Sequence, residues 1–142
     1  MPLEPAFRIA LYAAFAVLLA TGVGWLLADY LADQMKDAAS GEGWQTAAAT
    51  LLMLHGGASM AALLLLGALF PLHIRRGWRM GRNRATGTAM VTFNAVLILT
   101  AFGLYYFGSE LLRPWASRLH IGVGAALPVL FLVHILVGRR SA

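Results

Sequence analysis

The side chains in this sequence best suited to chemistry are its four histidines, His55, His73, His120 and His134. All four lie in two long segments that carry almost no charge, and none lies in a polar loop. A polar side chain inside a membrane is costly and is tolerated mainly where it faces protein and has a partner. Neutral imidazole is also the commonest metal ligand in proteins. The four histidines therefore predict a metal or cofactor site within a membrane.

The spacing of the histidines indicates how they are presented. His55 and His73 are 18 residues apart, and His120 and His134 are 14 residues apart. At about 100° per residue, the first spacing makes five turns of an α-helix and the second falls about 40° short of four turns. Each pair is therefore predicted to leave one face of its helix.

Composition indicates the class of protein that must position these side chains. Of the 142 residues, 60% are hydrophobic and 12% are charged, whereas soluble domains are about 25% charged. The net charge of +5 comes largely from arginines at the ends of apolar runs, a pattern typical of membrane orientation rather than of nucleic-acid binding. The chain has no cysteine, which excludes disulfides, thiolate-held iron–sulfur clusters and covalently attached c-type haem.

Four apolar segments predict transmembrane helices at about residues 9–28, 46–74, 85–109 and 116–138, forming one domain over residues 1–142. The first segment is longer than the roughly 7–15 apolar residues of a secretory signal, so it is predicted to be retained. Residues 75–84 include five arginines, and short arginine-rich loops remain in the cytoplasm. The sequence thus predicts an all-α integral membrane four-helix bundle with up-down-up-down topology and both termini cytoplasmic.

In this topology the second and fourth helices run parallel and face each other diagonally across the bundle. His55 and His120 lie twenty and nineteen residues before the arginines that end their segments, so they share one depth. We call them the outer pair, and we call His73 and His134 the inner pair. A flat macrocycle could take one axial ligand from each helix, which predicts two haem b groups with irons roughly 20–27 Å apart.

The inner pair is less well matched in depth than the outer pair. The inner histidines differ in depth by roughly 6 Å, because 18 residues of helix rise further than 14. A bend at Pro71, or an adjustment at Pro128, would bring them together.

Glycines follow both outer histidines, at Gly56 and Gly57 and at Gly122 and Gly124. They either make room for a large ring or allow close helix packing, and the sequence leaves both readings open.

The segment LHIGVGAALPVLFLVHIL, which contains His120 and His134, resembles the bacterial four-helix di-haem cytochrome b superfamily. That superfamily includes the cytochrome b subunits that anchor formate dehydrogenases and nickel–iron hydrogenases. In the anchor branch a ligand also comes from the first helix, which has no histidine here, so His73 would replace it. The resemblance implies electron transfer in the bacterial inner membrane between a quinone pool and a redox protein or dehydrogenase subunit.

Other readings of the same residues remain. The chain could be a self-contained quinone-linked oxidoreductase, such as a superoxide oxidase, rather than an electron-transfer subunit. It could also be a small non-redox transporter or assembly subunit with packed histidines. A bare transition-metal site is disfavoured, because no carboxylate or thiolate accompanies the histidines in the apolar segments.

Overall fold

The computed structural model describes residues 4–81 and 83–140, and these residues form helices without any β-strand. The α-helices are α1 (Pro5–Gln34), α2 (Gly41–Leu69), α3 (Arg75–Arg79), α4 (Arg84–Tyr106) and α5 (Leu112–Arg140), and a π-helical turn spans Phe70–Ile74. The π-helical turn joins α2 to α3, so that one helical stretch runs over Gly41–Arg79. The predicted all-α class is therefore confirmed for the described residues.

Four helical stretches among the described residues are long and apolar enough to cross a membrane, namely Pro5–Gln34, Gly41–Arg79, Arg84–Tyr106 and Leu112–Arg140. Their large apolar side chains are widely exposed: Met60, Leu64 and Leu99 are 72%, 78% and 68% accessible. Soluble monomers rarely expose apolar surface to this extent. A lipid bilayer is the environment that such helices fit.

The contacts divide the chain into two compact units, Met1–His73 and Ile74–Ala142. The first unit is a hairpin of α1 and α2, and the second is a hairpin of α4 and α5 with α3 against α4. The order of the four helices in one bundle and the location of the termini stay predictions.

In the first hairpin the two helices run antiparallel. Gly22 faces His55, and Gly24, further along α1, faces Leu51, which comes earlier in α2. Alanines line much of the groove between the helices, at positions 10, 13, 14, 58 and 61. Small side chains let membrane helices approach closely, because dispersion contacts between backbones replace the hydrophobic effect inside lipid.

A tight connection fixes where α2 begins. Met35 donates its backbone N–H to Leu31 at the end of α1, and the Met35 carbonyl then accepts from Ala38 at 3.0 Å. Gly41, the first residue of α2, passes so close to the Met35 carbonyl that a Cβ would overlap it. Glycine is therefore required by space at this position.

The second hairpin begins after a turn in which Asn83 has a left-handed backbone, with φ of 52°. Arg84 donates two hydrogen bonds to the Trp78 carbonyl, at 3.0 and 3.3 Å, and its guanidinium lies 5.5 Å from the centroid of the Trp78 ring. At the other end, the Ser109 hydroxyl accepts the N–H groups of Leu111 and Leu112, both at 3.3 Å. This contact satisfies backbone donors where α5 begins.

Pro71 lies in the π-helical turn, where the sequence predicted a bend. Proline has no N–H to donate and its ring clashes with the carbonyl four residues earlier. A hydrogen bond spanning five residues instead of four widens the turn and accommodates the ring. The additional residue in this turn rotates His73 by roughly 100° relative to an unbroken α-helix. The expectation that His55 and His73 leave the same face of one helix therefore does not follow. Pro128, in contrast, lies inside a continuous α5.

We expect Gly41→Ala to lower the free energy of unfolding by about 1–3 kcal/mol, because its Cβ forces the rigid Met35 carbonyl to move. Gly43→Ala is the matched control, since a Cβ there meets nothing within 4 Å. It should be neutral or stabilising by up to about 1 kcal/mol, because alanine favours the helix. Unfolding of both variants in one detergent measures the difference, and equal stabilities would contradict the steric account.

Candidate functional site

His55 lies in the middle of α2, half-buried, with its ring against α1. Its Nδ1 atom is 3.0 Å from the hydroxyl oxygen of Thr21. The next residue on α1 is Gly22, where a Cβ would come within 3.3 Å of the His55 Cε1 atom. The Thr21–Gly22 pair thus provides both a hydrogen-bond partner and the space that the imidazole ring occupies.

The hydrogen bonds of Thr21 indicate which ring nitrogen of His55 carries the proton. The Thr21 hydroxyl donates to the Val17 carbonyl at 2.7 Å and approaches the Leu18 carbonyl at 3.2 Å. A hydroxyl has one proton, and a carbonyl can only accept. The Leu18 carbonyl also accepts a hydrogen bond from the His55 ring. We assign the Thr21 oxygen as an acceptor for Nδ1–H on this proton count, which leaves the lone pair of a neutral imidazole on Nε2.

His120 repeats this arrangement in the second hairpin. Its Nδ1 atom is 2.9 Å from the hydroxyl oxygen of Thr100, a buried residue of α4. The Thr100 hydroxyl donates to the Val96 carbonyl at 2.7 Å and lies 3.1 Å from the Leu97 carbonyl. The same proton count makes His120 an Nδ1–H tautomer with its lone pair on Nε2.

His134, on the same helix as His120, also contacts a threonine of α4. Its Nδ1 atom is 2.9 Å from the hydroxyl oxygen of Thr86, and Gly87 lies beside the ring. The Thr86 hydroxyl is 3.4 Å from the Asn83 carbonyl, longer than the usual range for a hydroxyl donor. Thr86 is therefore held less firmly by the backbone than Thr21 and Thr100 are.

The two threonine contacts of α5 follow from matched spacing. Thr86 and Thr100 are 14 residues apart on α4, as His120 and His134 are on α5. The contacts are crossed, Thr86 with His134 and Thr100 with His120, as an antiparallel pair of helices requires. One register of the hairpin therefore gives both histidines a hydroxyl.

His73 lies in a different environment from the other three. It belongs to the π-helical turn, follows Pro71 by two residues and is exposed in the structure. Its position at the end of the first unit places it where the apolar segment gives way to the arginines of α3. His73 is therefore the predicted ligand whose local backbone departs from the expected α-helix.

The donor set restricts what these histidines could hold. Among the described residues no three His, Asp or Glu side chains gather where they could bind a metal ion. A metal-ligating histidine typically donates its other ring N–H to an acceptor that fixes the tautomer and orients the ring. His55 and His120 have this feature. They fit a cofactor that brings its own metal and equatorial ligands and needs only axial imidazole, such as haem.

The glycines that follow the outer histidines differ in their surroundings. A Cβ at Gly124 would touch Leu97 at 3.7 Å, an ordinary packing distance, while Cβ atoms at Gly57 and Gly122 would meet nothing within 4 Å. Gly22 and Gly87, on the opposite helix of each hairpin, lie beside imidazole rings: a Cβ would come within 3.3 Å of the His55 ring and 4.0 Å of the His134 ring.

Neither a protein-family model, nor a curated protein, nor a solved structure matches this chain. What the chain offers as evidence of function is its four histidines and the hydrogen bonds around them.

A search of the sequence for metal ligands does not identify Thr21, Thr86 and Thr100. The available signal was the 14-residue spacing of two threonines on α4 and the Thr-Gly pairs at 21–22 and 86–87. Threonine in a membrane helix usually bonds to its own backbone. The pattern becomes informative only when the register of each hairpin is known.

We expect Gly22→Ala to destabilise the chain through the His55 ring, and a double-mutant cycle isolates this contact. In the parent, the new Cβ presses on the ring and should lower the free energy of unfolding by about 0.5–2 kcal/mol. In the His55→Ala background the ring is absent, so Gly22→Ala should be neutral or slightly stabilising. Gly67→Ala, which has nothing within 4 Å, is the control, and an additive cycle would contradict the contact.

Proposed function

We propose that this chain is a transmembrane electron-transfer protein of the bacterial inner membrane that holds two haem b groups through its four histidines. The observation that carries the proposal is the hydrogen bond from Nδ1–H of His55 and of His120 to a backbone-anchored threonine. This bond leaves Nε2 as the basic nitrogen, the form in which histidine binds iron.

The proposed pairing is His55 with His120 and His73 with His134, and it is taken from the sequence. The outer histidines share a depth relative to the arginines that end their segments. The inner pairing is supported by the position of His73 and His134 toward the arginine-rich ends of their helices. In the proposed inner site, His73 lies in a π-helical turn rather than in an α-helix.

Haem b, when bound, supplies a one-electron couple of its iron, which the side chains of this cysteine-free protein do not supply themselves. The chain contributes binding and orientation. Thr21 and Thr100 receive the Nδ1 protons of the outer ligands, and Gly22 leaves space for the His55 ring.

The proposed partners are a quinone pool within the membrane and a redox protein or dehydrogenase subunit at the outer surface. Four exposed acidic residues lie at or near the connection of α1 to α2, at Asp29, Asp33, Asp37 and Glu42. This cluster complements a basic docking face on a partner. An electron-transfer subunit that acts with such a partner fits these features better than a stand-alone enzyme.

We expect the purified parent to hold two haems per chain, measured by pyridine haemochrome and a reduced-minus-oxidised spectrum. His55→Ala and His120→Ala should each remove the same spectral component, because a haem that loses one axial ligand is bound weakly. His73→Ala and His134→Ala should each remove the other component. Asn94→Ala is the control, since Asn94 is a half-buried polar residue of α4 that bonds to its own backbone at the Met90 carbonyl.

A colourless parent, made in cells with ample haem, would overturn the proposal and leave the threonine bonds as packing contacts. A protein with one haem would restrict the proposal to a single pair and remove the route across the membrane. Loss of one component by a pair other than those named would overturn the pairing while keeping the haem.

The proposed topology is tested by labelling, which is simple because the chain has no cysteine. We expect Ser40→Cys, in the connection between α1 and α2, to react with an impermeant maleimide added to intact spheroplasts. Met80→Cys, after α3, should react only once the membrane is opened, because the arginine-rich loop is cytoplasmic. Both side chains are exposed, so labelling of Met80→Cys in intact spheroplasts would contradict the orientation.

A further inference from the structure

We infer that Thr21 and Thr100 are positioning residues that orient the axial histidines and lower the reduction potential of the haem they bind. This inference rests on the proposed haem ligation. It goes beyond that proposal because these two threonines, which are not ligands themselves, are assigned control of the reduction potential. Each acts through the imidazole to which its hydroxyl is bonded.

The geometry at the two sites is nearly the same although the sites lie in different hairpins. The distances from Nδ1 to the hydroxyl oxygen are 3.0 Å for His55 and 2.9 Å for His120. In both cases the hydroxyl donates to the carbonyl four residues earlier at 2.7 Å. Both threonines are buried, with 8% and 9% of their surface accessible.

The chain of hydrogen bonds has a fixed direction, from imidazole to hydroxyl to backbone carbonyl. A hydroxyl that donates a short hydrogen bond becomes a better acceptor, because successive bonds polarise one another. The short 2.7 Å contact with the carbonyl four residues earlier assigns the hydroxyl proton to the backbone side at both sites. The imidazole therefore faces a polarised oxygen rather than a freely rotating hydroxyl.

The chemical consequence is a more basic ligand. An acceptor at Nδ1–H raises the basicity of the coordinating nitrogen, and a more basic ligand favours ferric over ferrous iron. The two threonines therefore lower the reduction potential of the haem bound by their histidines. Thr86, whose bond to the Asn83 carbonyl is 3.4 Å, polarises His134 less strongly.

The test compares Thr21→Val and Thr100→Val with Thr21→Ser and Thr100→Ser in the haem-loaded protein. Valine keeps the shape of threonine and removes the acceptor, while serine keeps the hydroxyl. Thr50→Val is the matched control, because the Thr50 hydroxyl also donates to the carbonyl four residues earlier, at 2.9 Å, at an exposed position of α2. Haem content, the midpoint potential of each component and the low-spin ferric EPR signal are measured for each.

We expect each valine variant to raise the midpoint potential of one component. A tenfold change in the ratio of ferric to ferrous affinity corresponds to about 59 mV for a one-electron couple, and we expect a rise of this order. The EPR signal should shift, because it depends on the orientation of the axial imidazole planes. The serine variants should restore both properties, and Thr50→Val should change neither.

The outcomes separate this inference from the proposed function. Unchanged potentials and EPR signals in valine variants that retain two haems would overturn the role of the threonines and leave the proposed function intact. A rise that serine does not reverse would also overturn it, because the effect would then be one of packing. A parent without haem overturns the proposed function itself. If Thr21→Val and Thr100→Val raise different components, the threonine role stands and the outer pairing is wrong.

Discussion

An imidazole N–H placed among apolar helices needs an acceptor, because an unpaired polar group in such surroundings costs about 1–3 kcal/mol or more. Threonine meets this need without introducing a second unpaired group. Its hydroxyl donates a hydrogen bond to the carbonyl of the preceding turn, and the hydroxyl oxygen accepts one from the neighbouring helix. Thr21 and Thr100 do this for His55 and His120, and each of these bonds joins the two helices of one hairpin.

Because the acceptor and the histidine lie on different helices, the register of each hairpin controls the site. Sliding one helix by a turn, about 5.4 Å, would break the bonds of His120 and His134 together. Short connections limit such sliding, with Gly41 tight against Met35 in the first hairpin and Ser109 at the start of α5 in the second. The elements that fix the register are therefore part of the site although they lie far from the histidines.

The sequence predicted the four apolar helices and indicated the four histidines as candidate ligands, because both depend on composition and spacing along one helix. The threonines could not be predicted in the same way. The chain has threonines that bond only to their own helix in the described contacts, such as Thr46 and Thr50. What distinguishes Thr100 is the residue opposite it, and that depends on loop geometry rather than on local pattern. The predicted haem pairing and partners remain hypotheses about the assembled bundle.

The π-helical turn shows why spacing alone is an incomplete guide to His73. Eighteen residues align with five turns only if every turn is α-helical, and Pro71 prevents this four residues before the arginines begin. The wider turn adds a residue without adding a turn, so it both rotates His73 and shortens its axial distance from His55 by about 1.5 Å. The shortening reduces the depth difference predicted for the inner histidines, while the rotation changes the direction from which His73 would approach a ligand. His73 therefore differs in backbone geometry from His55, His120 and His134, which all lie in α-helix.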